Sequence, residues 1–201
     1  MPHISAKSLL AASALSVFAL TVAAPAIGTG APNSIFGAAA FAQEAGYPII
    51  VSIEQFDELA GKGARIVDVR QKAAFENGHI PGAVNLPWAA LNVSERDGIR
   101  NEFQTDDVIE QVIASAGLRN GETLLIYDNT SLPGRAFIAL EYAGFKNIHV
   151  LDGGIGAFAG ALETGPVEVA ASDFKLTDKH DVRVDKAYVE SRLSAPDAVV
   201  V

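Results

Sequence analysis

Polar side chains with chemical potential follow the apolar run Leu124–Tyr127: Asp128, then Asn129, Thr130, Ser131 and, past Gly134, Arg135. Asn129, Thr130, Ser131, Gly134 and Arg135, together with Arg70 from an earlier segment, are the candidates for holding a small anion. The hydroxyls of Thr130 and Ser131 could in principle attack a substrate. No histidine stands near them in the loop to act as a base, so roles in the turn and helix entry are expected instead. His79 invites a catalytic reading in isolation. It lies between Gly78 and Pro81-Gly82, where ordering a turn by hydrogen bonding is the expected role. His79, His149 and His180 are scattered without ligand spacing, so no metal site is expected, and no cofactor. The chain contains no cysteine. That excludes disulfides, thiolate nucleophiles, thiolate zinc sites and iron–sulfur ligation together.

The elements that must position these residues alternate in type. Short β-branched runs at Ile49–Val51, Arg65–Val69, Ala83–Leu86, Thr123–Tyr127 and Ile148–Leu151 predict strands. Several are apolar throughout, as suits strands covered on both faces of a parallel sheet. Helices are predicted at Ile53–Gly61, Thr105–Ala116 and Arg135–Ala143. Thr105 is the expected N-cap of the second, with Asp106 and Asp107 at the positive end of its dipole. Gly117 and Gly144 are placed to end the second and third. This alternation predicts a doubly wound α/β sheet.

Two blocks carry a family resemblance. The first is Ile66-Val67-Asp68-Val69-Arg70 followed by Phe75-Glu76-Asn77-Gly78-His79-Ile80-Pro81-Gly82-Ala83-Val84-Asn85-Leu86-Pro87. The second is Leu125-Ile126-Tyr127-Asp128, then Gly134-Arg135, then Ala143 through Asp152-Gly153-Gly154. Together they resemble the rhodanese family over about residues 49–160. The resemblance implies a rhodanese-like α/β fold, a doubly wound five-stranded parallel sheet with helices on both faces. In active members of the family a cysteine follows the strand that reads here Leu124–Tyr127, and its thiolate relays sulfane sulfur from thiosulfate or 3-mercaptopyruvate as a persulfide. At that position this chain has Asp128, so no catalytic residue is assigned. The active loop resembles a cysteine, four variable residues and a basic residue. By that count Pro133 falls at the basic position and Arg135 comes two residues late. The pattern resembles the non-catalytic front half of tandem sulfurtransferases.

Within the first block, Asp68 and Arg70 are expected to form loop-fixing ion pairs with Glu76 and the turn backbone. His79, Pro81 and Gly82 are expected to shape a turn. Asp152-Gly153-Gly154 should let the chain leave a strand and enter a helix. Trp88 is expected to pack.

Residues 1–42 read as a secretory signal peptide. Lys7 precedes an apolar or small run at 8–24, and small-x-small cleavage sites follow at Ala24-Pro25-Ala26 and Ala40-Phe41-Ala42, the second preferred. If the leader stayed uncleaved, it would be the chain's membrane contact, being close to the roughly 20 residues a spanning helix needs. Either way the domain is expected to be exported, to the periplasm in a bacterium. The organisation expected is a leader at 1–42, a rhodanese-like domain at 43–161, a linker at 162–182 and, at 183–201, the start of a truncated second rhodanese-like domain. The last reading rests on a weak echo of Ile53–Leu59 and Ile66-Val67 in a helix at Val184–Leu193 and a strand start at Ala198–Val201. A second rhodanese-like domain is therefore the expected partner, with a small anion as a further ligand. The formal net charge of −9 argues against nucleic acid. Two other readings compete. One is a stand-alone binding or regulatory module with Asp128 plugging the anion cradle. The other is a phosphatase of related fold, which also needs a cysteine.

Overall fold

The computed structural model describes residues 46–129, 133–177, 184, 186–193 and 195. The expected leader and the strand start expected at 198–201 lie outside them, as do Thr130 and Ser131.

The strands are β1 (Ile50–Val51), β2 (Arg65–Asp68), β3 (Val84–Asn85), β4 (Asn92–Arg96), β5 (Ile99–Phe103), β6 (Leu124–Tyr127) and β7 (Ile148–Leu151). The helices are α1 (Ile53–Gly61), α2 (Lys72–Asn77), α3 (Asp106–Ser115), α4 (Gly134–Tyr142) and α5 (Lys186–Arg192). Five strands form one parallel sheet in the order β1-β7-β6-β2-β3, and β4 and β5 make a separate antiparallel hairpin.

The central strand shows why the sheet is covered twice. All four residues of β6 are buried, and successive side chains point to opposite faces. Leu124 and Ile126 join the core with Ile109 and Ile113 of α3 and Ala136 and Leu140 of α4. Leu125 and Tyr127 join the other core with Phe56 and Leu59 of α1 and Phe75 of α2. The predicted doubly wound five-stranded parallel sheet is therefore the observed one.

Local chemistry sets the helix ends. Ser52 and Gln55 form a reciprocal capping box at the start of α1, which buries Phe56 and Leu59. Thr105 occupies the N-cap of α3 but makes no side-chain bond to the helix backbone. Its hydroxyl bonds the Asp107 side chain, which holds that carboxyl below its usual range. Gly117 ends α3 at φ 72°, and a Cβ there would lie 3.1 Å from the Ala170 carbonyl oxygen.

The helix α2 and the β4–β5 hairpin were not predicted. The hairpin turns at Asp97-Gly98 with φ of 53° and 80°, the positive values that a two-residue hairpin turn needs.

Residues 162–177, the described part of the segment expected as a linker, lie against the domain as an irregular strap. The backbones of Glu163 and His79 exchange hydrogen bonds of 2.9 Å in both directions, and Gly165 N–H donates to the Glu76 carbonyl. Further on, the Ser172 hydroxyl donates to the Leu118 carbonyl. Phe174 is buried and stacks on Phe145 with ring centroids 5.2 Å apart. Lys175 bonds Asn120 and Glu110. The helix predicted at Val184–Leu193 is observed as α5, none of whose residues is buried; Val184, Tyr188 and Leu193 are exposed. Among the described residues no helix is long and apolar enough to cross a membrane.

Candidate functional site

The chain leaves β2 outward towards β3 and leaves β6 the opposite way towards β7. Helices α2 and α4 consequently pack on opposite faces. The carboxyl ends of β2 and β6 thus frame the point where the winding reverses, the usual crevice of an open α/β sheet.

Asp128 is the first residue beyond β6 and is half-buried. Its carbonyl accepts the Ile155 N–H at 2.8 Å, which ties this loop to the turn after β7. Asn129 is exposed. Thr130 and Ser131, the proposed anion ligands in the middle of the loop, fall outside the described residues. Pro133 is buried at the N-cap of α4, and Gly134 and Arg135 open the helix on its exposed side. Arg135 Nη1 donates to the Asn101 carbonyl of β5 at 3.2 Å, so the hairpin stands beside the start of α4.

Arg70 is placed differently from a free anion ligand. Asp68, with no solvent exposure, accepts from Arg70 Nε at 3.0 Å, from Nη2 at 2.5 Å and from the Arg70 backbone N–H at 2.9 Å. Arg70 Nη2 also donates to the Gly78 carbonyl at 2.6 Å. Arg70 as a whole is 9% exposed. Burial works against its charge, but the bonds and attraction of Asp68 outweigh it and hold the Arg70 pKa above its ordinary value. The Asp68–Arg70 pair and its grip on the turn backbone are as expected. Glu76 is not part of it: this side chain pairs with Lys72, 3.7 Å away and one helical turn earlier in α2.

Tyr127 completes the lock. It sits directly across from Asp68 in the β2–β6 register, on the same face. Its hydroxyl accepts the Ile80 N–H at 3.0 Å and lies near enough to the Asp68 carboxylate to feel its charge. Burial first, and the charge of Asp68 second, push the phenol pKa well above its ordinary value. The phenol therefore stays protonated. The signal for this role was present, since a tyrosine in a fully buried strand needs a partner for its hydroxyl.

These bonds carry the turn that follows α2. Pro81 and Gly82 occupy its centre, with Gly82 at φ 78° and the Ala83 N–H on the Ile80 carbonyl at 3.0 Å. That is the type II turn which proline followed by glycine favours. His79 is 1% exposed and stacked on Phe75 with centroids 3.9 Å apart. Its Nδ1 lies 2.9 Å from the Phe75 carbonyl; a carbonyl can only accept, so Nδ1 carries the proton. His79 orders the turn, as expected from its neighbours. Glu163, which faces its other ring nitrogen at 3.7 Å, gave no sign in the sequence.

After β7, exposed Asp152 is followed by Gly153 and Gly154 at φ 76° and 57°. They lead into a single 3-10 turn, Gly154–Ala157, rather than an α-helix. Trp88 also lies in a 3-10 turn and is more than a third exposed, so it packs on one side alone.

The sheet end therefore brings together Asp128, the opening of α4 and the Asp68–Arg70–Tyr127 lock. A carboxylate stands beyond the central strand, and the nearby buried charge is already neutralised. Among the described residues no group of three or more His, Asp or Glu side chains could hold a metal.

Comparison with known proteins agrees with this geometry. A family model described as "Rhodanese-like domain" matches residues 52–161. A protein of Synechococcus elongatus named "Putative thiosulfate sulfurtransferase" is 33% identical over 144 residues, which is 67% of this chain and 44% of that protein. A Mycobacterium tuberculosis protein of the same name is 27% identical over 124 residues, covering 61% of this chain and 43% of that one. The chain thus spans less than half the length of these curated relatives. Among solved structures, SseA of Escherichia coli, described as a 3-mercaptopyruvate sulfotransferase, superposes with a TM-score of 0.63 at 22% identity, covering 73% of this chain and 63% of that one. The 3-mercaptopyruvate sulfurtransferase of Leishmania major gives 0.53 at 22% identity, covering 69% and 44%. At these identities the two structures speak to the fold alone.

Proposed function

We propose that this chain, which belongs to the rhodanese-like family, is a non-catalytic sulfurtransferase-type domain that works beside a second, cysteine-bearing domain of the same family. The observation that carries the reading is chemical. Sulfur relay through a persulfide needs a thiolate. The chain has no cysteine, and Asp128 stands just beyond the central strand. A carboxylate can accept hydrogen bonds there but cannot take up sulfane sulfur.

Three further observations favour a partner domain. The curated relatives are more than twice as long as the segment that matches. The helix α5 carries Tyr188, with Leu193 just beyond its end, yet none of its residues is buried and both of these side chains are exposed. The sequence of 184–201 echoes the start of the first domain. Export is part of the same proposal and rests on Lys7, the apolar run at 8–24 and the Ala40-Phe41-Ala42 site.

The test is a turnover assay on the purified full chain. With thiosulfate as donor and cyanide as acceptor, thiocyanate stays at the uncatalysed rate. Turnover well above that rate would overturn the non-catalytic reading. Residues 1–42 fused to a reporter that is active only outside the cytoplasm should yield active reporter; an inactive, cytoplasmic fusion would overturn export.

A further inference from the structure

His79 is 99% enclosed in effect, with 1% of its surface exposed, and one of its ring nitrogens lacks a hydrogen bond. Nδ1–H serves the Phe75 carbonyl. Nε2 carries a lone pair in the neutral ring and has no hydrogen-bond partner. The nearest opposite charge is Glu163 Oε2 at 3.7 Å, on a side chain more than half exposed. That distance is too long for a hydrogen bond but within reach of a small side-chain rotation. Backbone geometry fixes the two residues as neighbours, because His79 and Glu163 exchange both of their backbone hydrogen bonds.

We propose that the strap at 163–165 is a proton-gated clasp: a proton taken from solvent onto His79 Nε2 turns its approach to Glu163 into a charge-assisted hydrogen bond and tightens the strap on the turn after α2. In the neutral state a buried lone pair faces a carboxylate, which is unfavourable. In the protonated state both ring nitrogens donate, one to Phe75 and one to Glu163, and the pair carries no net charge. A charge-assisted bond is roughly twice as strong as a neutral one.

The charges around the ring leave Glu163 as the responding group. On α2, Glu76 is paired with Lys72, and its carbonyl already holds the Gly165 N–H. At the end of β2, Arg70 is neutralised by Asp68 and grips the Gly78 carbonyl, next to His79. From β6, Tyr127 holds the Ile80 N–H on the other side. On the strap, Glu163 Oε2 also receives the Gly82 N–H at a long 3.4 Å. The device thus links acidity to how firmly the strap holds the turn at the carboxyl edge of the sheet.

The experiment reads two signals in the isotope-labelled full chain between about pH 5 and 8, where histidine titrates. The first is the imidazole resonance of His79. The second is the amide exchange of Glu163 and Gly165, corrected for intrinsic rates and referred to the Val67 amide in the core. Protection of both strap amides is expected to rise several-fold as His79 takes up its proton. Glu163→Gln is expected to abolish that rise and to move the His79 midpoint to lower pH. His79→Gln keeps a donor for the Phe75 carbonyl but cannot charge, and should flatten the response; if it fails to fold, Glu163→Gln carries the test. The clasp is overturned if His79 does not titrate in this range, if strap protection is flat across its titration, or if Glu163→Gln leaves the midpoint unmoved.

Discussion

Asp68→Asn strikes the most enclosed polar group at the end of the sheet. The carboxylate has no solvent exposure and accepts three donors of Arg70. The amide that replaces it brings no charge and turns an NH2 group towards donors. Arg70, 9% exposed, is then left as a buried cation without its counter-charge. Removing one partner of a buried ion pair costs about 3–5 kcal/mol. Domains hold about 5–15 kcal/mol in all, so the variant should lose a large fraction of its stability. Arg70→Met removes the other partner and should cost a similar amount. The two changes together should cost less than their sum, with a coupling of about 2–3 kcal/mol. Urea unfolding of the full chain, followed by far-UV circular dichroism and by fluorescence of the single tryptophan, Trp88, gives each value by linear extrapolation. If each single variant falls within about 0.5 kcal/mol of the parent, as surface changes do, or if the two losses simply add, the pair is not a structural lock. Arg70 would then regain its claim as an anion ligand.

Other expectations follow from the same geometry. Phe174→Ala should cost about 3–5 kcal/mol by denaturant unfolding, as truncation of a buried aromatic does; a loss below about 1 kcal/mol would show that the strap is only draped on the domain. The Glu110 carboxyl is held below its ordinary value of 4.5, by Lys175 first and by the Leu176 N–H second. This contact is therefore fully present above pH 4.5 and is lost as pH falls through the lowered folded value. Exchange at the Leu176 amide should accelerate, relative to its intrinsic rate, over that acid window, and a pH-independent ratio would contradict it. Asp128→Cys should yield little or no thiocyanate, because Pro133 stands where the active loop has a basic residue and Arg135 is engaged with Asn101; robust turnover would show that loop length matters less than the nucleophile.

The parts of the fold legible in the sequence were those with a strong local signal. The β6 run is apolar throughout, β7 is apolar but for His149, and α1 combines a capping box with helical spacing of Phe56 and Leu59, so type and bounds were both readable. The β4–β5 hairpin was missed despite its Asp-Gly turn, because Ser94, Glu95, Arg96, Arg100 and Glu102 mask any alternation of apolar residues. The helix α2 spans six residues and has no side-chain cap, so little marks it locally. The strap reads as a linker because it is polar and aperiodic, yet Phe174 anchors it from far along the chain. In the candidate site, the Asp68–Arg70 pair is two residues apart and was readable. The pairing of His79 with Glu163 joins residues that no local pattern connects, and Glu76 was misassigned because Lys72, one turn away on a helix not foreseen, is its nearer partner.

The sharpest measurement is intact-mass spectrometry of the purified full chain after incubation with thiosulfate, and separately with 3-mercaptopyruvate, under non-reducing conditions. A chain with a carboxylate where the sulfur carrier would stand should keep its mass unchanged with either donor. A covalent gain of one sulfur atom, mapped to any residue between Tyr127 and Arg135, would contradict the account at its root.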